Sequence, residues 1–222
     1  MKCLMLFFIA LMLIGVWQVC DGGYIYYHAL DNDVLQYKPV PGVPETDLDS
    51  PISAGMVGWI TIDGTSIDYP VMQNENNSYY LNIDPFGKYS LSGSIFLDSR
   101  CSPDFTDRFS MIYGHHMDHG VMFGGLDDFM NSSYLEKHTT GTLMVGRNAE
   151  KVYDLEVFAS MRVSARNKTV FDLDQERIQQ YIRENADVFR IDKDEPILAL
   201  ATCTGTDTVD RTVVFCYIAD ET

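Results

Sequence analysis

The stretch Ile197-Leu198-Ala199-Leu200-Ala201-Thr202-Cys203 decides the reading of this chain, together with the run that follows it, Arg211-Thr212-Val213-Val214-Phe215-Cys216-Tyr217-Ile218. Both runs are rich in β-branched or aliphatic residues and bounded by turn formers, so each reads as a buried β-strand. The polar connection Thr204–Asp210 carries one Gly and is short enough to pair them antiparallel. That pairing sets the Cys203 thiol at the end of one strand beside the Arg211 guanidinium at the start of its neighbour. A cation near a thiol favours the thiolate, or stabilises an oxyanion once the thiolate has attacked a carbonyl. Tyr113-Gly114-His115-His116 offers a base, with His115, directly after an apolar strand, the better-placed imidazole. Gly114 leaves room there for a substrate backbone.

Outward from this pair the chain reads as mainly β. Val57–Ile62 and Ser66–Met72 flank the turn signal Asp63-Gly64. Gly93–Asp98 and Phe109–Tyr113 are two more strands. Thr142–Val145 and Val152–Val163 form a hairpin around a polar turn. Met122, Phe123, Leu126 and Phe129 recur at helical spacing, so Val121–His138 is expected to be mostly helical. An amphipathic helix is expected near Asp174–Ala186, with Ile178, Tyr181 and Ile182 on one face and Asp172 or Asp174 as its cap. About eight strands and two or three helices fit a closed barrel with insertions, not βαβ units.

Three segments are expected. Residues 1–21 hold an uncharged apolar run from Cys3, with Lys2 before it and Asp21 after it, long enough at its lower limit to span a bilayer. Positive-inside logic then puts the N-terminus in the cytosol and the domain outside. No small-residue cleavage site ends the run, so a retained anchor is preferred to a cleaved signal peptide. Residues 22–54 form a juxtamembrane stretch, with a short helix at Tyr24–Leu30 and a proline-marked linker at Lys38–Pro44. Residues 55–222 form the domain. The net charge of −16 repels phosphate backbones, which excludes nucleic acid as a natural partner.

Of five cysteines, Cys3 and Cys20 belong to the anchor. Three remain in an exported domain, an odd number that leaves at least one thiol unpaired. Cys216, between Phe215 and Tyr217, reads as core. Cys101, in the polar loop Ser99–Pro103, is expected to be exposed and oxidisable. His115, His116, Asp118 and His119 could form a ligand-rich loop, but adjacent histidines on an extended backbone point apart, so no metal or other cofactor is expected. His28 and His138 are expected at the surface. Arg211 either meets carbonyl and oxyanion oxygens or pairs with Asp207 or Asp210.

Taken together, these residues resemble the sortases, cysteine transpeptidases of Gram-positive cell surfaces. Leu200-Ala201-Thr202-Cys203 is similar to the strand that ends in the family's cysteine, Tyr113-Gly114-His115-His116-Met117 to its histidine motif, and Arg211 to its arginine. Val57–Val71, Asn77-Ser78-Tyr79-Tyr80-Leu81-Asn82, Gly93–Asp98 and the helix-bearing insert before Pro196 resemble class B. The resemblance implies an eight-stranded closed β-barrel with N-terminal helices and a helix inserted before the penultimate strand. It implies catalysis by Cys203, His115 and Arg211, and a substrate groove lined by Asn77, Leu81, Tyr113, Ala201, Thr202 and Thr204. Class B chains usually carry Ser where this one has Ala201. The partners implied are surface proteins bearing a sorting-signal pentapeptide, and a cell-wall or pilin amine that receives them. The same fold could instead use water as acceptor, as a hydrolase, or serve as an inactive anchored binding module.

Overall fold

The computed structural model describes residues 2–29, 32–42, 50–203 and 209–221. Two compact units are present, Met1–Asn32 and Asp33–Thr222. The first is one long helix, α1 (Lys2–Ala29), so the short helix expected at Tyr24–Leu30 is not separate but the last turns of this one. No Pro interrupts it, and Gly22-Gly23 alone is too weak a break to end it. From Leu4 to Val19 its large apolar side chains are exposed on every side. Among the described residues no helix is long and apolar enough to cross a membrane.

The second unit contains nine described strands: β1 (Met56–Ile62), β2 (Asp68–Met72), β3 (Ile95–Leu97), β4 (Phe109–His115), β5 (Thr140–Val145), β6 (Lys151–Ser164), β7 (Val188–Phe189), β8 (Ile197–Cys203) and β9 (Asp210–Glu221). Their order is β5-β1-β2-β3-β4-β8-β9-β6, and pairing of β5 with β6 closes eight of them into a barrel. The two-residue β7 adds to the outside edge of β6. The expected hairpins β1–β2, β5–β6 and β8–β9 are all antiparallel. The pairing of β4 with β8 is parallel, and it runs without a slip from Phe109↔Ile197 to His115↔Cys203.

Both faces of β8 are covered, which explains its unbroken apolar run. On one face Phe109, Met111, Ala199, Ala201, Val213 and Phe215 pack with Val170, Ile178 and Ile182 from two helices, α3 (Lys168–Phe171) and α4 (Ile178–Asn185). These lie in the insert between β6 and β8. Here α4 starts later than expected: Asp174 forms the turn before it, accepting from the backbone N–H of Arg177 (3.1 Å), while Asp172 ends α3. The single helix expected over Val121–His138 is replaced by a 3-10 helix, Gly124–Met130, and a one-turn helix, α2 (Ser132–Leu135). Asn131 divides them: its extended backbone breaks the first, and its side chain accepts from Ser133 and Tyr134 N–H to cap the second.

The described part of the linker is moored to the barrel. Lys38 Nζ donates to Asp68 Oδ1 and Thr61 Oγ1, both at 2.8 Å, and Trp59 Nε1 donates to the same carboxylate at 2.6 Å. Gly114 does not open a space for substrate as expected. A Cβ there would lie 2.4 Å from Ile95 Cδ1 and 2.8 Å from the Phe123 ring. Gly114→Ala is therefore expected to cost roughly 1–3 kcal/mol through overpacking, read as a lower urea midpoint at unchanged slope.

Candidate active site

Because β4 and β8 run parallel, both end at the same rim of the barrel, and the antiparallel β9 begins there. His115 is the last residue of β4 and Cys203 the last of β8, paired in register, with strands roughly 4.8 Å apart. Arg211 is the second residue of β9. The structure thus brings the backbones of the three expected catalytic positions together; the Cys203 side chain and residues 204–208, with Thr204 and Asp207, lie outside what is described.

The imidazole of His115 is half-buried, and its Nε2 lies 2.7 Å from the carbonyl oxygen of Leu81. A carbonyl only accepts, so in this pair Nε2 carries the hydrogen and Nδ1 is the other nitrogen of the ring. Leu81 ends a short 3-10 helix, Tyr79–Leu81, pinned by the N–H of Ser94 on the Tyr80 carbonyl (2.9 Å). Gly93 makes this approach possible. Its φ is +57°, and a Cβ would lie 2.6 Å from the same Leu81 oxygen that holds His115.

Arg211 Nη1 donates to the carbonyl of Thr202, the residue before the cysteine, at 2.9 Å. The guanidinium also lies over the Phe171 ring, 5.9 Å from its centroid. Phe171 is tied in turn: its carbonyl accepts from Arg100 Nη2 (2.7 Å), and Arg100 forks onto Asp98 through Nε and Nη2 at 2.9 and 2.8 Å. Asp98 is fully buried and accepts also from Asn77 Nδ2 (3.0 Å) and the Tyr113 hydroxyl (3.1 Å). One carboxylate therefore holds two of the expected groove residues and, through Arg100, the ring beneath Arg211. Burial would raise its pKa, but the hydrogen bonds and charge of Arg100 outweigh this and hold the carboxyl below its usual range.

The remaining expected groove residues face other tasks. Leu81 packs on the core around Trp59 and Phe96. The Ala201 methyl is fully buried in the core under α3 and α4, and the Thr202 hydroxyl is buried, accepting from the N–H of Thr212 (3.2 Å). Side-chain contact of either with a groove ligand would need these contacts to open.

Four expectations about lone residues resolve as follows. Cys216 is core, and desolvation pushes its thiol up to about 12. Cys101 is buried, not exposed: the polar loop turns back so that its N–H meets the Asp98 carbonyl (2.9 Å), and burial pushes its thiol up to about 11. His138 is half-buried and stacks on Tyr134 at 4.0 Å, where surface exposure was expected. His28's side chain lies outside what is described. His115 and His116 do point apart, the second meeting Asp127 Oδ2 at 2.9 Å. Among the described residues no group of three or more His, Cys, Asp and Glu is placed to hold a metal. Asp98 and Arg100 were missed in the sequence because a charged pair closing a strand looks like any solvated strand end; only burial distinguishes it.

Asp98 sets a pH test. A carboxyl whose folded pKa lies below its unfolded value of about 3.9 adds stability that is full above that value and is lost as the pH falls through the folded one. Asp98→Asn is expected to lower stability at pH 7 by roughly 1–3 kcal/mol, with the gap to wild type shrinking at pH 3.5. Urea unfolding at the two pH values checks this; a gap independent of pH would refute it. The two buried thiols set another: at pH 8 the folded domain should leave Cys101 and Cys216 unmodified by iodoacetamide, as mass mapping would show.

Comparison with known proteins agrees with this geometry. Residues 60–219 match the Sortase domain. Sortase B of Staphylococcus aureus (strain NCTC 8325 / PS 47) is 33% identical over 183 residues, covering 77% of this chain and 73% of that protein. Among solved structures, a Streptococcus pyogenes class B sortase involved in pilus biogenesis superposes with a TM-score of 0.68 at 32% identity, over 75% of this chain and 94% of that one. A Staphylococcus aureus sortase B–substrate complex superposes with a TM-score of 0.67 at 28% identity, over 76% and 82% of the two chains. A strand-end cysteine in register with a histidine, an arginine opening the next strand and a matching eight-stranded barrel thus occur on a chain that belongs to the sortase family, as a cysteine transpeptidase of class B.

Proposed function

We propose that this enzyme cleaves a sorting-signal pentapeptide after its threonine and transfers the new carboxyl end to an amine of the cell wall or of a pilin. The observation that carries this reading is the register pair His115↔Cys203, with Arg211 bonded to the carbonyl one residue before the cysteine. In this reading the Cys203 thiol passes its proton to His115 Nδ1, the resulting thiolate adds to the threonine carbonyl carbon and Arg211 steadies the oxyanion. The C–N bond breaks, and the leaving amine takes a proton from His115, through Nδ1 while Leu81 holds Nε2. An acceptor amine then gives its proton to His115 and attacks the thioester. The C–S bond breaks and the thiolate returns.

Asn77, Leu81 and Tyr113 are proposed as groove residues, the first and last oriented by Asp98. Ala201 and Thr202, just before Cys203, and Thr204, which follows it in the sequence outside the described residues, complete the proposed lining. The class of ligand is supported by the substrate and triglycine complexes of sortase B relatives and by the pilus-biogenesis role of the streptococcal one.

Sortase domains act on the outer Gram-positive cell surface. For this chain a single-pass anchor at residues 1–21 is proposed, with the N-terminus inside and residues 55–222 outside, joined by residues 22–54. It is motivated by the uncharged run of the sequence from Cys3 to Cys20.

Cys203→Ala is expected to lower cleavage of a sorting-signal peptide library by about a thousandfold or more, and wild type should give a ligated product only when an amine is added. Product analysis by mass spectrometry checks both. Cleavage surviving in Cys203→Ala would sink the mechanism, and hydrolysis alone at saturating amine would make the enzyme a peptidase.

A further inference from the structure

We infer that Asp127 is a positioning residue for this reaction, its carboxylate tying together the chain neighbours of His115 and of Arg211. The inference rests on the reading that Cys203, His115 and Arg211 are catalytic.

Side chains alternate between the two faces of a strand. Where the three strands meet at the rim, the residues next to the catalytic ones are His116, just past the end of β4, Thr202 on β8 and Thr212 on β9. Hydrogen bonds join these three neighbours into one network. Asp127 Oδ1 accepts from the Thr212 hydroxyl at 2.5 Å, and Asp127 Oδ2 lies 2.9 Å from His116 Nε2. Thr212 N–H donates to Thr202 Oγ1 at 3.2 Å. Arg162, which pairs with Thr212 across β6 and β9, brings its guanidinium to 4.0 Å from Asp127. The chain is therefore gripped at three points, each one residue away from a catalytic position of this reading.

The platform that carries Asp127 is firm. It is the 3-10 helix Gly124–Met130, whose Leu126 and Phe129 are fully buried and whose Phe129 carbonyl accepts from the buried Ser160 hydroxyl (2.7 Å). The Thr212 hydroxyl is itself buried, so its partner at Asp127 has no ready replacement in water. Burial opposes ionisation of Asp127, but Thr212 and His116 outweigh it and hold the carboxyl below its usual range, so it is charged whenever the enzyme works near neutral pH. His115 shares a peptide unit with His116, and Arg211 shares one with Thr212. Holding His116 and Thr212 on one carboxylate fixes how far apart the imidazole and the guanidinium stand across β8. Misplacement of a reacting group by about 1 Å can cost about a hundredfold in rate.

The test uses the full chain in detergent, a fluorogenic peptide chosen on the wild-type enzyme, and triglycine as the amine. Asp127→Ala and Thr212→Val are each expected to lower kcat about tenfold with KM changed less than about twofold, because the groove residues Asn77 and Tyr113 are held by Asp98 instead. The double variant should be no worse than either single one, since both break the same link. Thr212→Ser, which keeps the hydroxyl, should recover most of the loss seen in Thr212→Val. If Asp127→Ala does not fold, Asp127→Asn decides: it keeps an acceptor for Thr212 without the charge, and a fall in kcat of about two- to fivefold is expected. Wild-type kcat in a folded Asp127 variant, losses that multiply in the double variant, or an effect confined to KM would overturn the inference. Activity surviving in Cys203→Ala would instead overturn the catalytic reading beneath it, whatever Asp127 does.

Discussion

The parallel pairing of β4 with β8 is the constraint on which the site depends. Antiparallel neighbours would put the two strand ends at opposite rims, whereas a parallel pair delivers both to one. With the register held from Phe109↔Ile197 to His115↔Cys203, every step along the pair is dictated by buried side chains on both faces. A slip of one residue would turn Met111 and Ala199 out of the core and carry the imidazole off its position at the same time. The precision of the rim is thus inherited from the packing beneath α3 and α4, and the insert that carries those helices supports the strands on which His115 and Cys203 pair.

Electrostatics complete what packing begins. In a chain with a net charge of −16, the carboxylates near the rim could work against a thiolate. Two of them are instead enclosed in hydrogen bonds: Asp98 by Arg100, Asn77 and Tyr113, and Asp127 by Thr212 and His116. Both carboxyls sit below their ordinary range for that reason. Each acts as a fixed acceptor rather than a proton carrier, and Arg211 brings positive charge to the carbonyl of Thr202, one residue before Cys203.

Much of this was legible in the sequence. The pairs β1–β2, β5–β6 and β8–β9 are joined by short connections whose turn residues announce them, and Cys203, His115 and Arg211 stand at the strand ends where the apolar runs stop. What stayed hidden was non-local. Nothing in residues 109–115 says that their partner lies at 197–203. The spacing of Phe123, Leu126 and Phe129 suits an α-helix and a 3-10 helix about equally, and only the capping chemistry of Asn131 separates two short elements. Cys101 sits among Ser, Arg and Pro, a composition that reads as surface, while tertiary folding turns the loop inward. The two-residue β7 is too brief to leave a pattern. Asp98 and Asp127 have no sequence signature, because their importance comes from what surrounds them in space.

The distance along the chain between the paired ends has a consequence for how the enzyme comes into being. His115 and Cys203 are roughly ninety residues apart in sequence, and the last strand in the chain is the one that carries Arg211. Contacts of such long separation form late, after the entropy of closing the intervening loop has been overcome. A chain in which β4 and β8 have not yet paired holds Cys203 apart from His115. The rim at which Cys203, His115 and Arg211 meet therefore exists only once β4, β8 and β9 have paired.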